Sequence, residues 1–157
     1  MQRYIKMRTK QNNSHFFLYY SRFAVPLHPQ NVIKMKDICC IGHVTKDKIV
    51  TPSSTVYMAG GTSFYFAYAI NQLPKDVSFS LITAMDPTEK EPVEKMLKAG
   101  IDVTLNPSRN TVFFENIYGD NPNDRKQRVL AKADPFTIQQ LEHVEAKVYH
   151  LGSLLSD

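Results

Sequence analysis

Hydrophobic and polar positions alternate in an orderly way from residue 37 onwards. A continuous apolar run over residues 38–41 is typical of a buried parallel strand. The same reasoning predicts further core strands at 77–83, 101–105 and 147–151, and helices at 62–73, 88–99 and 137–143. A small β layer interrupts this series, with strands at about 48–58 and 111–131 and a loop at 45–47. This order predicts an α/β fold in which a parallel sheet is flanked by helices.

A pair of glycines, Gly60 and Gly61, stands where a strand-like run meets a helix-like run. Neither glycine has a Cβ atom, so a ligand is able to approach the backbone closely. We expect Thr62 or Ser63 to cap the helix, whose free N–H groups then point toward whatever lies above the glycines. This arrangement predicts a small-molecule site. The helix is apolar almost all round, which predicts that it is largely buried.

Charge is distributed unevenly along the 157 residues. Residues 1–36 contain seven of the 19 basic residues and none of the 15 acidic ones, so the remainder is mildly acidic. This balance argues against a nucleic-acid partner for the folded part. The sequence has no run of about 20 apolar residues that predicts a membrane span. Cys39 and Cys40 are adjacent in an apolar run, which favours a reducing compartment and a cytoplasmic location.

Residues 1–34 lack a sustained period and precede Met35, which stands directly before the first convincing strand. We interpret 1–34 as a disordered tail or as an upstream stretch translated from a misplaced start codon, and 35–157 as the folded part. An organellar transit peptide and a tail that attaches to nucleic acid or membrane are the alternatives. The five histidines and two cysteines have no metal-ligand spacing, so no metal site is expected.

Residues 35–157 resemble the N-terminal half of PfkB/ribokinase-like carbohydrate kinases. The motifs that carry the resemblance are, in order, Ile41-Gly42-His43-Val44-Thr45-Lys46-Asp47, Gly60-Gly61, a strand ending near Asp86, Phe114-Glu115-Asn116-Ile117-Tyr118 and Val148-Tyr149-His150-Leu151-Gly152. The aromatic-rich run Thr62-Ser63-Phe64-Tyr65-Phe66 is similar to the inositol-kinase-like subgroup. Three positions depart from the sugar-kinase pattern, namely Thr45, Tyr65 and Gly152, and they put ribose itself in doubt as the substrate.

The resemblance implies a kinase that transfers the γ-phosphoryl group of ATP, with Mg²⁺, to a hydroxyl of a sugar, polyol or nucleoside. It assigns substrate binding to Asp47, Gly60, Gly61, Thr62 and Thr45. The small β layer would be a lid over the site that also mediates a homodimer.

The Gly-Ala-Gly-Asp-type segment that supplies the family's catalytic base is absent from the 157 residues, as is a Walker-type phosphate loop. We therefore expect a ribokinase-like fold that is incomplete at the C-terminus, inactive alone and unable to bind ATP and Mg²⁺ fully. The alternative function is a non-catalytic module that binds a small molecule or dimerises.

Overall fold

The computed structural model describes residues 17–20, 23–26, 35–74, 76–121, 123–152, 154 and 155. Its strands and helices are, in chain order, β1 (Phe17–Tyr20), β2 (Phe23–Pro26), β3 (Lys36–Ile41), β4 (Thr45–Val50), β5 (Thr55–Gly60), α1 (Thr62–Ile70), β6 (Phe79–Met85), α2 (Glu91–Lys98), β7 (Val103–Pro107), β8 (Phe113–Tyr118), β9 (Arg125–Ala131), α3 (Ile138–Leu141) and β10 (Ala146–Leu151). The chain divides into two units, residues 1–34 and residues 35–157.

In the first unit, β1 and β2 pair antiparallel, with Phe17 opposite Pro26. The other residues of 1–34 lie outside the described residues. The interpretation of this segment as a disordered or misplaced extension therefore stays a prediction.

The main sheet of the second unit contains four parallel strands in the order β10-β3-β6-β7. Successive strand residues point to opposite faces, so the adjacent cysteines enter different clusters. Cys40 packs with α1 and α2 side chains such as Ala67 and Met96. Cys39 packs toward Phe136 and Leu141 of the α3 region. The predicted α/β fold, with a parallel sheet flanked by helices, is confirmed.

Helix α2 illustrates how local signals set the helix ends. The sequence predicts one helix over 88–99, whereas the structure has a 3₁₀ turn over Pro87–Glu89 followed by α2. Asp86 caps the turn by accepting the Thr88 N–H at 2.8 Å. At the other end Gly100 has a φ of +84°, and the N–H of Ile101 donates to the Met96 carbonyl at 3.0 Å. These are the features of a glycine-terminated helix.

The second sheet has the order β5-β4-β8-β9 and forms the small β layer. Strand β4 pairs antiparallel with β5 and parallel with β8, and β8 pairs antiparallel with β9. The predicted loop at 45–47 is wrong, because β4 begins at Thr45 and its residues pair with β5 up to Gly60. Hydrogen bonding to the neighbouring strand decides this conformation, and the polar side chains alternate between the two faces.

Two predictions of burial are also wrong. Helix α1 ends at Ile70 and buries only Ser63 and Ala67, while Tyr65 is 55% exposed. Strand β10 was expected in the core, yet Leu151 is 65% exposed, because among the described residues β10 pairs with β3 on one side only. No helix among the described residues is long and apolar enough to cross a membrane.

Candidate functional site

Polar side chains from β4 meet the glycine pair at the start of α1. Thr45 lies opposite Gly60 in the strand register, and its Oγ1 donates to Asp47 Oδ1 at 2.8 Å. A Cβ atom on Gly60 would overlap the Asp47 carboxylate and would lie 3.2 Å from Thr45 Oγ1. Four of the five predicted site residues are therefore neighbours, and Gly60 has to be glycine for the carboxylate to lie there.

Gly61 is the N-cap residue of α1, with φ +93° and ψ 150°. This region of backbone space is essentially restricted to glycine. A Cβ atom here would also lie 2.7 Å from the His43 carbonyl oxygen. The turn therefore packs directly against the connection between β3 and β4.

The expectation that Thr62 or Ser63 caps α1 is wrong, since the helix has no side-chain cap. Both residues are already inside the helix, and the cap position belongs to Gly61, which has no side chain. Thr62 directly follows Gly61 in the sequence and is exposed at the first helical position. The first-turn N–H groups of α1 are therefore not satisfied by a capping side chain, and such groups bind oxygen atoms of ligands.

Ser63 fixes the start of α1 on the carboxyl edge of the main sheet. Its buried side chain lies between Gly42, which follows β3, and Gly152, which follows β10. A Cβ atom on either glycine would overlap Ser63 Oγ. The absence of two side chains thus allows the helix to approach two strand ends at once, and this close packing sets the position of the glycine pair.

The lysines of β4 point away from Asp47, because strand residues alternate between faces. Lys46 pairs with Glu89, and Lys48 pairs with Glu115 at 2.9 Å. Glu115 also accepts from Arg128, and hydrogen bonds from Lys48 and Arg128 lower the pKa of the Glu115 carboxyl. Lys48 and Arg128 thus form cross-strand ion pairs with Glu115, whereas Lys46 pairs with Glu89 of the 3₁₀ turn, and all of these pairs lie away from Asp47.

A groove of about 620 Å³ opens beside the face of the β layer that carries Lys46. Its walls include side chains from the β layer and from the two long helices, among them Lys46, Tyr57, Phe64, Tyr68 and Lys95. Thr45 and Met58, the register partner of Asp47, line this groove, whereas Asp47 itself does not. The groove therefore adjoins the cluster around the Asp47 carboxylate.

Sequence reasoning missed a second polar pair in the β layer. Asn116 is buried and accepts a hydrogen bond from Gln127 Nε2 at 2.8 Å. The register places Phe114 beside Asp47 and Asn116 beside Ile49, so Asn116 shares the face that carries Asp47. Alternation along β8 was the available signal, once the pairing of β8 with β4 was known.

Within the described parts of the chain, no group of three or more His, Cys, Asp or Glu side chains is arranged to hold a metal ion. Mg²⁺ is usually held by one or two carboxylates together with waters and substrate phosphates, so it does not require such a group.

No protein-family model and no curated protein matches this sequence. Solved structures do. A pyrophosphate-dependent kinase in the ribokinase family, complexed with a pyrophosphate analog and myo-inositol, is 27% identical with a TM-score of 0.61 over 74% of this chain and 39% of its own. A variant of a pyrophosphate-dependent myo-inositol kinase is 24% identical with a TM-score of 0.64 over 74% of this chain and 38% of its own.

A sugar kinase from Pyrococcus horikoshii in complex with ATP shares the fold at 17% identity, with a TM-score of 0.52 over 66% of this chain and 37% of its own. The chain thus spans about two fifths of the length of the kinases that it matches. Matched over that length by kinases of sugars and inositols, the chain has the PfkB/ribokinase-like fold and resembles part of a ribokinase-family kinase.

Proposed function

We propose that this chain supplies the acceptor-binding part of a ribokinase-family kinase that phosphorylates a hydroxyl of a small polyhydroxylated molecule. The observation that carries the proposal is the convergence of Thr45, Asp47 and the Gly60–Gly61 turn at the start of α1. A structural neighbour that is 27% identical contains myo-inositol.

Each group has a role that follows from its chemistry. The Asp47 carboxylate has acceptor oxygens only, so it suits the hydroxyl donors of a polyol. Thr45 orients that carboxylate through its 2.8 Å hydrogen bond. The first-turn N–H groups of α1 donate hydrogen bonds to oxygen atoms of the bound sugar or polyol, and the glycine pair lets that molecule come close to them. Thr62, exposed at the first helical position, adds a hydroxyl.

Binding of the phosphoryl donor is a property of the proposed whole kinase and not of this chain alone. ATP is the donor that the sequence resemblance implies, and pyrophosphate is the donor named for two of the matched kinases. Phosphoryl transfer needs charge neutralisation and a group that accepts the hydroxyl proton. We expect this chain to bind the acceptor and to be inactive alone, since the family's Gly-Ala-Gly-Asp-type segment is absent from its sequence.

Acceptor binding is tested by isothermal calorimetry of the 157-residue chain with myo-inositol, ribose and inosine. We expect saturable binding of at least one of them and a loss of at least about tenfold in affinity in Asp47→Asn, because a charged acceptor makes stronger hydrogen bonds than an amide. Asp120→Asn is the matched control, since Asp120 is an exposed turn residue. Equal affinities in the two variants, or no binding at all, would contradict the proposal.

Inactivity alone is tested by incubating the chain with each acceptor, Mg²⁺ and either ATP or pyrophosphate. No phosphorylated product is expected above the level of a boiled control. Sustained turnover would show that the described acceptor site needs nothing beyond this chain.

A second candidate function is dimerisation through the β layer. Three apolar side chains are exposed on the face that carries Asp47, namely Val56 (50%), Met58 (41%) and Val129 (45%). Burying them against a second copy would remove apolar surface from water. Light scattering should then give a dimer mass for the wild type and a monomer mass for Val56→Lys. Tyr57→Lys, on the opposite face, should leave the mass unchanged, and a monomeric wild type would exclude this function.

A further inference from the structure

His43 occupies the connection between β3 and β4, and its ring joins three separate segments of the chain. The residue is only 1% exposed. Its Nδ1 accepts the backbone N–H of Leu155 at 3.1 Å, and Leu155 follows β10. On another side the ring stacks on Phe136, which precedes α3, with ring centroids 5.1 Å apart and planes inclined by 17°. A single imidazole therefore contacts two segments that each lie more than 90 residues further along the chain than His43.

The hydrogen bond from Leu155 requires a particular protonation state. A ring nitrogen that accepts an N–H cannot carry a proton, so the neutral ring has its proton on Nε2. His43 Nε2 is buried and has no hydrogen-bond partner among the described residues. Protonation of Nδ1 would place two N–H donors against each other and would create a buried cation, which is costly without a nearby anion.

Several charged groups on the elements packed against the ring are engaged with other partners. Asp134, on the Phe136 segment, accepts from the Arg109 side chain and backbone. Lys147 of β10 pairs with Asp37 at 2.7 Å. At the end of α3, the exposed His143 lies 3.4 Å from Glu142. Burial alone lowers the pKa of His43 below its usual value.

The backbone of His43 also contacts the Gly60–Gly61 turn. Gly61 packs so closely on the His43 carbonyl oxygen that a Cβ atom would lie 2.7 Å from it. The chain after β10 reaches the same edge, since Gly152 N–H donates to the Ile41 carbonyl at 2.9 Å. His43 thus lies between the glycine turn and the segment that continues beyond the main sheet.

We infer that His43 is a pH-sensitive positioning residue: its neutral ring holds the backbone at Leu155 against the β3–β4 connection, and protonation releases it. We call this contact between His43 and Leu155 the latch, and the geometry alone supports it. Its consequence, that acidification loosens the support of the Gly60–Gly61 turn where the substrate would bind, rests on the proposed function.

The direction of the pH effect follows from linkage. The latched state has the lower pKa, so it binds fewer protons than the released state between the two pKa values. Latching is therefore complete above about pH 6.5, the ordinary value for histidine. As the pH falls below that value, the latching equilibrium weakens by about tenfold per pH unit until the pKa of latched His43 is reached.

The test is NMR of the 157-residue chain between about pH 5 and pH 8, with amide exchange at Leu155 corrected for the intrinsic rate. In the wild type, protection of the Leu155 amide should fall on acidification, in step with the titration of the His43 ring. His43→Asn keeps an acceptor oxygen near the Nδ1 position and does not titrate, so its protection should be pH-independent. His43→Phe keeps the stacking without the acceptor, and its protection should be low throughout. His143→Gln is the control and should follow the wild type.

Protection that is flat with pH in the wild type, or that falls equally in His43→Asn, would overturn the inference. Thermal unfolding of each variant at pH 8 separates local release from general loss of structure, and His43→Asn keeps the test open if His43→Phe does not fold. Calorimetry with myo-inositol across the same pH range addresses the acceptor. If the latch titrates and no polyol binds, the proposed function fails while the pH-sensitive latch stands.

Discussion

The geometry of the Gly60–Gly61 turn predicts a large loss of stability when Gly61 is replaced by alanine. Two independent costs arise at this position. The backbone has φ +93° and ψ 150°, where non-glycine residues cost about 1–3 kcal/mol. The new Cβ atom would lie 2.7 Å from the His43 carbonyl oxygen and 3.0 Å from Thr45 Cγ2. Such overpacking typically costs a further 1–3 kcal/mol or so.

Together these terms lower the free energy of unfolding by about 2–6 kcal/mol, a large share of the roughly 5–15 kcal/mol that stabilises a typical domain. Gly100 is the matched control. It has a similar φ of +84°, but nothing lies within 4 Å of its Cβ position. Gly100→Ala should therefore show the backbone term alone, about 1–2 kcal/mol.

Urea unfolding followed by circular dichroism measures both variants. With a slope of about 2 kcal/mol per molar urea, Gly61→Ala should lower the midpoint by about 1–3 M and Gly100→Ala by about 0.5–1 M. An unchanged slope would show that both variants unfold from a comparable native state. If the two alanine variants lose the same stability, the close contact between Gly61 and the His43 carbonyl contributes nothing, and the reasoning is refuted.

Three further predictions concern the core, the acid response and the β layer. Leu81 is fully buried, so Leu81→Ala should cost about 2–5 kcal/mol in urea unfolding; a cost under about 1 kcal/mol would contradict the packing described. Hydrogen bonds from Lys147 and Ser78 lower the pKa of Asp37, so its stabilising contribution is present above its unfolded pKa near 3.8 and is lost as the pH falls through the folded value. Thermal midpoints of the wild type should therefore fall more steeply below about pH 4 than those of Asp37→Asn, and parallel curves would exclude this role. Glu115→Gln removes the charge that pairs with Lys48 and Arg128, so amide exchange in β8 should become faster, whereas unchanged exchange would mean that the ion pairs do not stabilise the layer.

Local sequence patterns were sufficient to predict the strands of the main sheet and some of the helix ends. Periodicity along the chain identified the run 38–41 as a buried parallel strand, and the structure buries Cys39 and Cys40 completely. Gly100 directly follows the helix predicted over 88–99, and its positive φ in the structure is one that favours glycine at a helix end. Strand boundaries were less accurate: β6 and β7 each begin two residues later than predicted, at Phe79 and Val103. An apolar run specifies that a strand exists, whereas pairing with a neighbour decides where it starts.

The sequence by itself also placed Thr45, Asp47, Gly60 and Gly61 in one candidate site, through a resemblance of motifs. Only the tertiary structure decided how they meet, because the contact depends on the antiparallel register that sets Thr45 opposite Gly60. It likewise decided that β10 is exposed, since burial depends on which strands and helices lie beside it.

The bond between His43 and Leu155 joins residues 112 positions apart. No local pattern encodes such a contact. The fold creates it by bringing the ends of β3 and β10 to the same edge of a parallel sheet.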